Sequence, residues 1–197
     1  MLNTSSLNRR KVLGLGVGSL AGAVVLSACS GASAASPDKP VNLYLSILTG
    51  GQLNTKDQPT FVPSNVTVPA NSTVTVQIVD FDDGTAALAD GSPYGKVTGV
   101  IGNTVTSTAL TMSDPNKPGA KTTYSELALK DVAHTFTISA LKLNVPIPVS
   151  STVTFSFKTD KAGTYNFQCM APCGSDPNGM GGAMTEDGQM IGTLHVV

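Results

Sequence analysis

Short runs rich in Val, Thr, Ile and aromatic residues, each closed by a turn signal, fill this chain from residue 41 onward. Nothing else constrains its fold as strongly, because such runs fit a pleated, half-buried surface and not a helix. Residues 41–48 alternate weakly, and 61–68 and 73–79 are rich in Val, Thr and Ile. Pro69, Ala70, Asn71 and Ser72 supply the turn between the latter two. Residues 97–101 and 104–110 flank Gly102 and Asn103, a pattern that predicts a hairpin. Residues 134–140, 152–158, 163–168 and 191–197 complete the set, and one helical turn is expected over 124–130. No segment sustains a 3.6-residue period, and no internal repeat is present. Many short strands at this spacing predict an all-β fold, two sheets packed as a β-sandwich.

The stretch with most chemistry begins at Gly163. Tyr165, Phe167 and Cys169 alternate with Thr164, Asn166 and Gln168, so the first sulfur is expected on the same strand face as two aromatics. A loop follows with a second thiol, Cys173, and then Met180, Met184 and Met190. Thiolates and thioethers are soft ligands, and a loop concentrating both favours copper over harder metals. Zinc accepts His and two Cys, but with His134 as the upstream imidazole no second His or third Cys completes its usual set. A Cys169–Cys173 disulfide is the competing expectation in an oxidising compartment, although a bridge across so short a loop constrains little. Asp80, Asp82 and Asp83 read as a solvated acidic turn. Counted from Asp80, the twelfth residue is Gly91, where a calcium loop needs glutamate. No nucleophile elbow or paired histidine supports a hydrolase.

The N-terminus reads as an address. Arg9, Arg10 and Lys11 form a basic region, and the uncharged run over 12–28 falls short of the roughly 20 apolar residues that a spanning helix needs. The paired arginines and a glycine-containing apolar run predict a twin-arginine signal over 1–28. Leu26-Ser27-Ala28-Cys29 resembles the bacterial lipobox, which makes Cys29 the expected lipidation site and places the protein outside the cytoplasm, anchored to the membrane. Residues 29–40 are small and polar, the composition of a flexible tether, and 41–197 form the domain. From Cys29 onward nine lysines face 13 acidic residues, a net charge of −4. That balance excludes nucleic acid as a partner, which needs a basic face, and suits a basic partner surface.

Taken in order, the motifs resemble the cupredoxin family. Phe61-Val62-Pro63-Ser64-Asn65-Val66-Thr67-Val68 and the Thr73-Val74-Thr75-Val76 that follows look like the opening strands, and His134-Thr135-Phe136-Thr137-Ile138 resembles the strand with the upstream histidine ligand. The thiol loop and Met190-Ile191-Gly192-Thr193-Leu194 are similar to the ligand loop and closing strand. The resemblance implies a cupredoxin-like Greek-key β-sandwich, with an insertion at about 82–131 before the histidine strand. Cys-x-x-x-Cys-Gly is similar to the dinuclear copper domain of cytochrome oxidase subunit II and nitrous oxide reductase. Carried over, that pattern implies copper held by His134, Cys169, Cys173 and a thioether, with Ala171 contributing its backbone carbonyl. Met190 is favoured for the thioether, because Met-x-Gly leads into the closing strand; Met180 and Met184 are alternates. The departure is Pro177, which occupies the place of the second histidine. The only other imidazole, His195, lies well into the terminal strand and reads as an ordinary strand residue. The implied function is a one-electron carrier rather than a catalyst, serving a respiratory redox partner and at most an electron-entry subunit of an oxidase. The alternatives are a Cu(I) chaperone or sequestering protein with a copper-delivery partner, and a metal-free module with the two thiols bridged.

Overall fold

The computed structural model describes residues 40–53, 58–111, 117 and 119–197. The leader over 1–28, Cys29 and the tether up to residue 39 lie outside the described residues. The described chain is the expected all-β sandwich. In order the strands are β1 (Val41–Leu48), β2 (Thr60–Val62), β3 (Asn65–Val68), β4 (Thr73–Asp80), β5 (Val105–Ala109), β6 (Lys121–Tyr124), β7 (Val132–Ile138), β8 (Leu143–Pro148), β9 (Ser151–Lys158), β10 (Gly163–Gln168) and β11 (Ile191–Val196). One sheet runs β2-β1-β4-β9-β5-β6 and the other β3-β11-β10-β7-β8. β2 and β3 are separated only by Pro63 and Ser64, yet β2 pairs with β1 in one sheet and β3 with β11 in the other.

The two-residue period sorts side chains between core and solvent. β4 buries Val74, Val76, Ile78 and Asp80, and β9 buries Ser151, Val153, Phe155 and Phe157. Between the sheets, Phe136 of β7 packs on Phe155 of β9 with ring centroids 5.9 Å apart. Phe61 of β2 meets Phe167 of β10 edge-on at 5.3 Å. Such aromatic pairs add about 0.5–1.5 kcal/mol each beyond the area they bury. On β11, Gly192 lies opposite Phe167, where a Cβ would collide with the ring. The absent side chain makes room for this aromatic.

Two expectations are corrected. Gly102 and Asn103 do turn, with φ of 81° and 56°, but the flanking residues do not pair with each other. Val97 donates to Ser125 O and Thr98 to Asn144 O, while β5 pairs with β9 and β6. A place beside a long central strand outweighs an isolated two-stranded ladder. Over 124–130, Tyr124 belongs to β6 and only Leu129–Asp131 forms a 3-10 turn. The described residues of 82–131 add β5 and β6 to a sheet edge, and those around Tyr94 and Lys96 cover the outer side of β8. Asn144 Nδ2 donates to Tyr94 O and Lys96 O at 3.0 and 2.7 Å, and Thr137 Oγ1 donates to Asn144 Oδ1 at 2.7 Å. Every residue of β7 is buried.

Candidate metal centre

The site is built at the end of the β10–β11 ladder. That ladder closes at Gln168 opposite Ile191, and the next backbone hydrogen bond, from Cys169 N–H to Met190 O at 3.0 Å, seals the base of the loop. Within the loop Cys173 N–H donates to Ala171 O at 2.8 Å, a tight turn that folds the second thiol back over the first. A small hairpin follows, with Ser175 bridging Gly181, and a 3-10 turn, Gly182–Met184, ends it. Asp176 stabilises the hairpin by accepting from Asn178 N–H and Met180 N–H. Gly174 is needed there: a Cβ would collide with Gly181 O and stand 2.7 Å from Met184 Cγ.

Three of the expected donors converge. A ring nitrogen of His134, Cys169 Sγ and Cys173 Sγ all lie within 4.8 Å of one another. Cys169 Sγ is 3.4 Å from Cys173 Sγ and 4.0 Å from His134 Nδ1. Both thiols are free. Met184 Sδ stands 3.2 Å from Cys173 Sγ, placing a thioether against a thiol. Met190 is wholly buried at the loop base, joined through its backbone to Cys169 and Ala183. Met180 is 42% exposed on the loop hairpin. Ala171 O points into the loop, 3.6 Å from Cys169 Sγ as well as accepting from Cys173 N–H. His195 is exposed on β11, its Nδ1 3.4 Å from Thr164 Oγ1.

Behind the imidazole lies what sequence reading missed. Asp82 Oδ2 is 3.1 Å from His134 Nε2, and Asp80 Oδ1 is 3.9 Å from it. Asp80 is fully buried and Asp82 half-buried against the imidazole, so the solvated acidic turn is corrected for these two; Asp83 alone of the three is exposed. β4 delivers Asp80 on its inward row, following Val74, Val76 and Ile78, and that periodicity was the available signal. The contact of Asp82 with a histidine 52 residues away has no local signature.

These charges act on one another. Burial alone would push the imidazole down, but the Asp82 hydrogen bond, the Cys169 contact and the Asp80 charge raise His134 to about 10. Burial raises the Cys169 thiol, yet the contacts from Cys173 and His134, the His134 charge and the Thr135 N–H together hold it well below the ordinary thiol range. Contact with Cys169, and then burial, push Cys173 well up. These directions favour an imidazolium beside the Cys169 sulfur, with Cys173 Sγ donating onto it at 3.4 Å. Burial lifts Asp80 to about 7 against the pull of His134. For Asp82, burial is outweighed by its hydrogen bonds with His134 and the Gly84 N–H, and its carboxyl sits below the usual range.

The donors fit a single soft ion. With metal–sulfur distances of about 2.3 Å and metal–nitrogen of about 2.0–2.1 Å, neighbouring ligand atoms of a tetrahedral site stand roughly 3.4–3.8 Å apart. The contacts of 3.2, 3.4 and 4.0 Å bracket that range, and the remaining pair, Cys173 with the imidazole, lies within 4.8 Å and closes by about 1 Å on an ion. Binding requires Cys173 to lose its proton and His134 to free Nδ1, so it releases protons.

No family model and no curated protein matches the chain. Among solved structures it is similar to a heme-copper terminal oxidase dimer, at 14% identity and a TM-score of 0.38, over 82% of this chain and 66% of that one. It is similar to auracyanin A, a "blue" copper protein from the green thermophilic photosynthetic bacterium Chloroflexus aurantiacus, at 16% identity and TM-score 0.36, over 81% and 100% of the two chains. It is also similar to a multicopper oxidase from Campylobacter jejuni, at 11% identity and TM-score 0.39, over 83% of this chain and 31% of that one.

Proposed function

We propose that this protein is an extracytoplasmic, lipid-anchored cupredoxin that binds copper through His134, Cys169, Cys173 and a thioether, and carries single electrons. The observation behind this reading is one imidazole nitrogen and two thiol sulfurs within 4.8 Å, a third sulfur 3.2 Å from Cys173, and nearly all of it sealed from solvent. Met184 is placed for the thioether role; Met190, favoured by spacing, is the variant to compare with it. Ala171 O, already near Cys169 Sγ, is the candidate backbone ligand. Bound copper would supply the one-electron couple. The chain's part is to hold soft donors close, exclude water from His134 and Cys169, and leave Cys173 half-exposed as the outward edge. Cys29 is the proposed anchor and Arg9–Arg10 the export signal. A basic redox partner of the respiratory chain, an oxidase among them, suits the charge of the exported part. The role is electron delivery, not catalysis.

The test is copper addition to the reduced protein, read by optical and spin-resonance spectra with metal analysis. Intense thiolate-to-copper absorption with one copper per chain is expected, and it should shift and weaken in Cys169→Ser and vanish when Cys173→Ser is added. A colourless protein without stoichiometric metal refutes the proposal. The donor count favours one second reading. Three sulfurs against a single imidazole suit Cu(I), so a copper-delivery or sequestering role follows if Cu(I) binds tightly without a reversible one-electron wave.

A further inference from the structure

The carboxylates behind His134 have no part in the ligand set, yet they are built into it with care. Asp82 Oδ2 faces His134 Nε2 at 3.1 Å and Asp82 Oδ1 accepts the Gly84 N–H at 2.9 Å. The Asp82 N–H donates to Asp80 Oδ1 at 3.0 Å, and Ser150 N–H donates to Asp82 O at 2.8 Å. Asp80 projects from the last residue of β4 into the core, so its position is as fixed as the sheet. We propose that Asp82, held in place by Asp80, is the positioning residue that makes Nδ1 of His134 the metal ligand. This rests on the metal-binding reading above.

The argument is one of donors and acceptors. An ionised carboxylate only accepts hydrogen bonds, so the nitrogen opposite Asp82 Oδ2 must present an N–H. A neutral imidazole has one proton, and placing it on Nε2 leaves the lone pair on Nδ1, the nitrogen that faces Cys169 Sγ. The competing tautomer, with the proton on Nδ1, gains a charge-assisted bond to the Cys169 thiolate and has no ligand to offer. Asp82 penalises that tautomer by setting two lone pairs against each other. The same hydrogen bond raises the ligand's basicity, and nearby negative charge favours the more highly charged metal ion.

An amide at this position inverts the effect. Asn has one acceptor and one donor end. The Gly84 N–H claims the oxygen, which turns the amide NH2 toward Nε2 and drives the imidazole proton onto Nδ1. Ala simply releases the ring to either tautomer. Copper affinity should therefore fall in the order wild type, Asp82→Ala, Asp82→Asn, with the Asn variant about 10- to 100-fold weaker than wild type. A purely structural role gives the reverse order, because Asn is nearly isosteric with Asp and Ala is not.

The experiment measures Cu(I) and Cu(II) affinities of the purified wild type and both variants by chelator competition, with thermal melts to show that each is folded. Nitrogen NMR of histidine-labelled, Cu(I)-loaded wild type needs no variant. It should show Nδ1 of His134 ligated and a slowly exchanging proton on Nε2. Asn binding as well as or better than Ala overturns the inference, as does Nε2 ligation, and either result leaves the copper reading standing. Failure of wild type to bind copper overturns both.

Discussion

Gly174→Ala tests the link between loop geometry and site. The added methyl would collide with Gly181 O, stand 2.7 Å from Met184 Cγ and 3.1 Å from Gly179 O. Two of these atoms are backbone carbonyls of the small hairpin, locked by the bonds from Gly174 N–H to Gly179 O and between Ser175 and Gly181, so they cannot both yield cheaply. The methionine can. Overpacking of this kind costs about 1–3 kcal/mol, which in a domain of this size lowers the melting temperature by about 2–12 °C. The relief carries Met184 Sδ away from its 3.2 Å approach to Cys173. The metal-free variant should therefore melt lower, and the copper-loaded variant should show a shifted thiolate-to-copper band resembling that of Met184→Leu. Melting within about 1 °C of wild type, with an identical spectrum, refutes both the packing argument and the assignment of Met184. A spectrum that moves with Met190→Leu and not with Met184→Leu gives the thioether role to Met190.

Three further outcomes are expected. Gly192→Ala places a Cβ into the Phe167 ring and 2.5 Å from Ser64 O, and should cost about 1–3 kcal/mol in a denaturant melt without altering copper binding. Asp80→Asn should change how stability varies with pH. A carboxyl lifted from 3.8 to about 7 by burial favours the folded state when protonated, so wild type loses that contribution as pH rises through this window while the Asn variant does not. The melting temperature of wild type minus that of the variant should fall across it; a constant difference refutes the burial argument. Cys29→Ser should release the protein from membranes into the soluble extracytoplasmic fraction, and membrane retention of that variant refutes the lipid anchor.

The strands legible in sequence were those whose neighbours obey the same alternation. β1, β4, β9 and β10 are single runs with apolar residues every second place, and each lies within a residue of where the pattern puts it. β8 escaped notice because Pro146 and Pro148 argue against a strand; it is a sheet edge, where a missing N–H costs nothing. The thiol loop could be read because its chemistry is local. Asp82 could not: its carboxylate looks like any surface turn until β4 and β7, in different sheets, bring it to His134. Met190 does sit where β11 begins, while the hairpin over 174–181 brings the Met184 sulfur to within 3.2 Å of Cys173, a return that spacing along the chain does not report.

The short step across Pro63 and Ser64 has a consequence for how this protein comes apart. Because β2 and β3 are one stretch of chain laid into both sheets, neither sheet can peel away while the other stays whole. The donors and their support span the same divide, with the carboxylates at and just beyond the end of β4 in one sheet and the imidazole and thiols on the other. Slow hydrogen exchange at the ladder amides should then be lost from both sheets in a single cooperative opening. The hydrogen bond between Asp82 and His134 acts as a latch on that opening, so a metal held as proposed would tighten the closure of the sandwich as well.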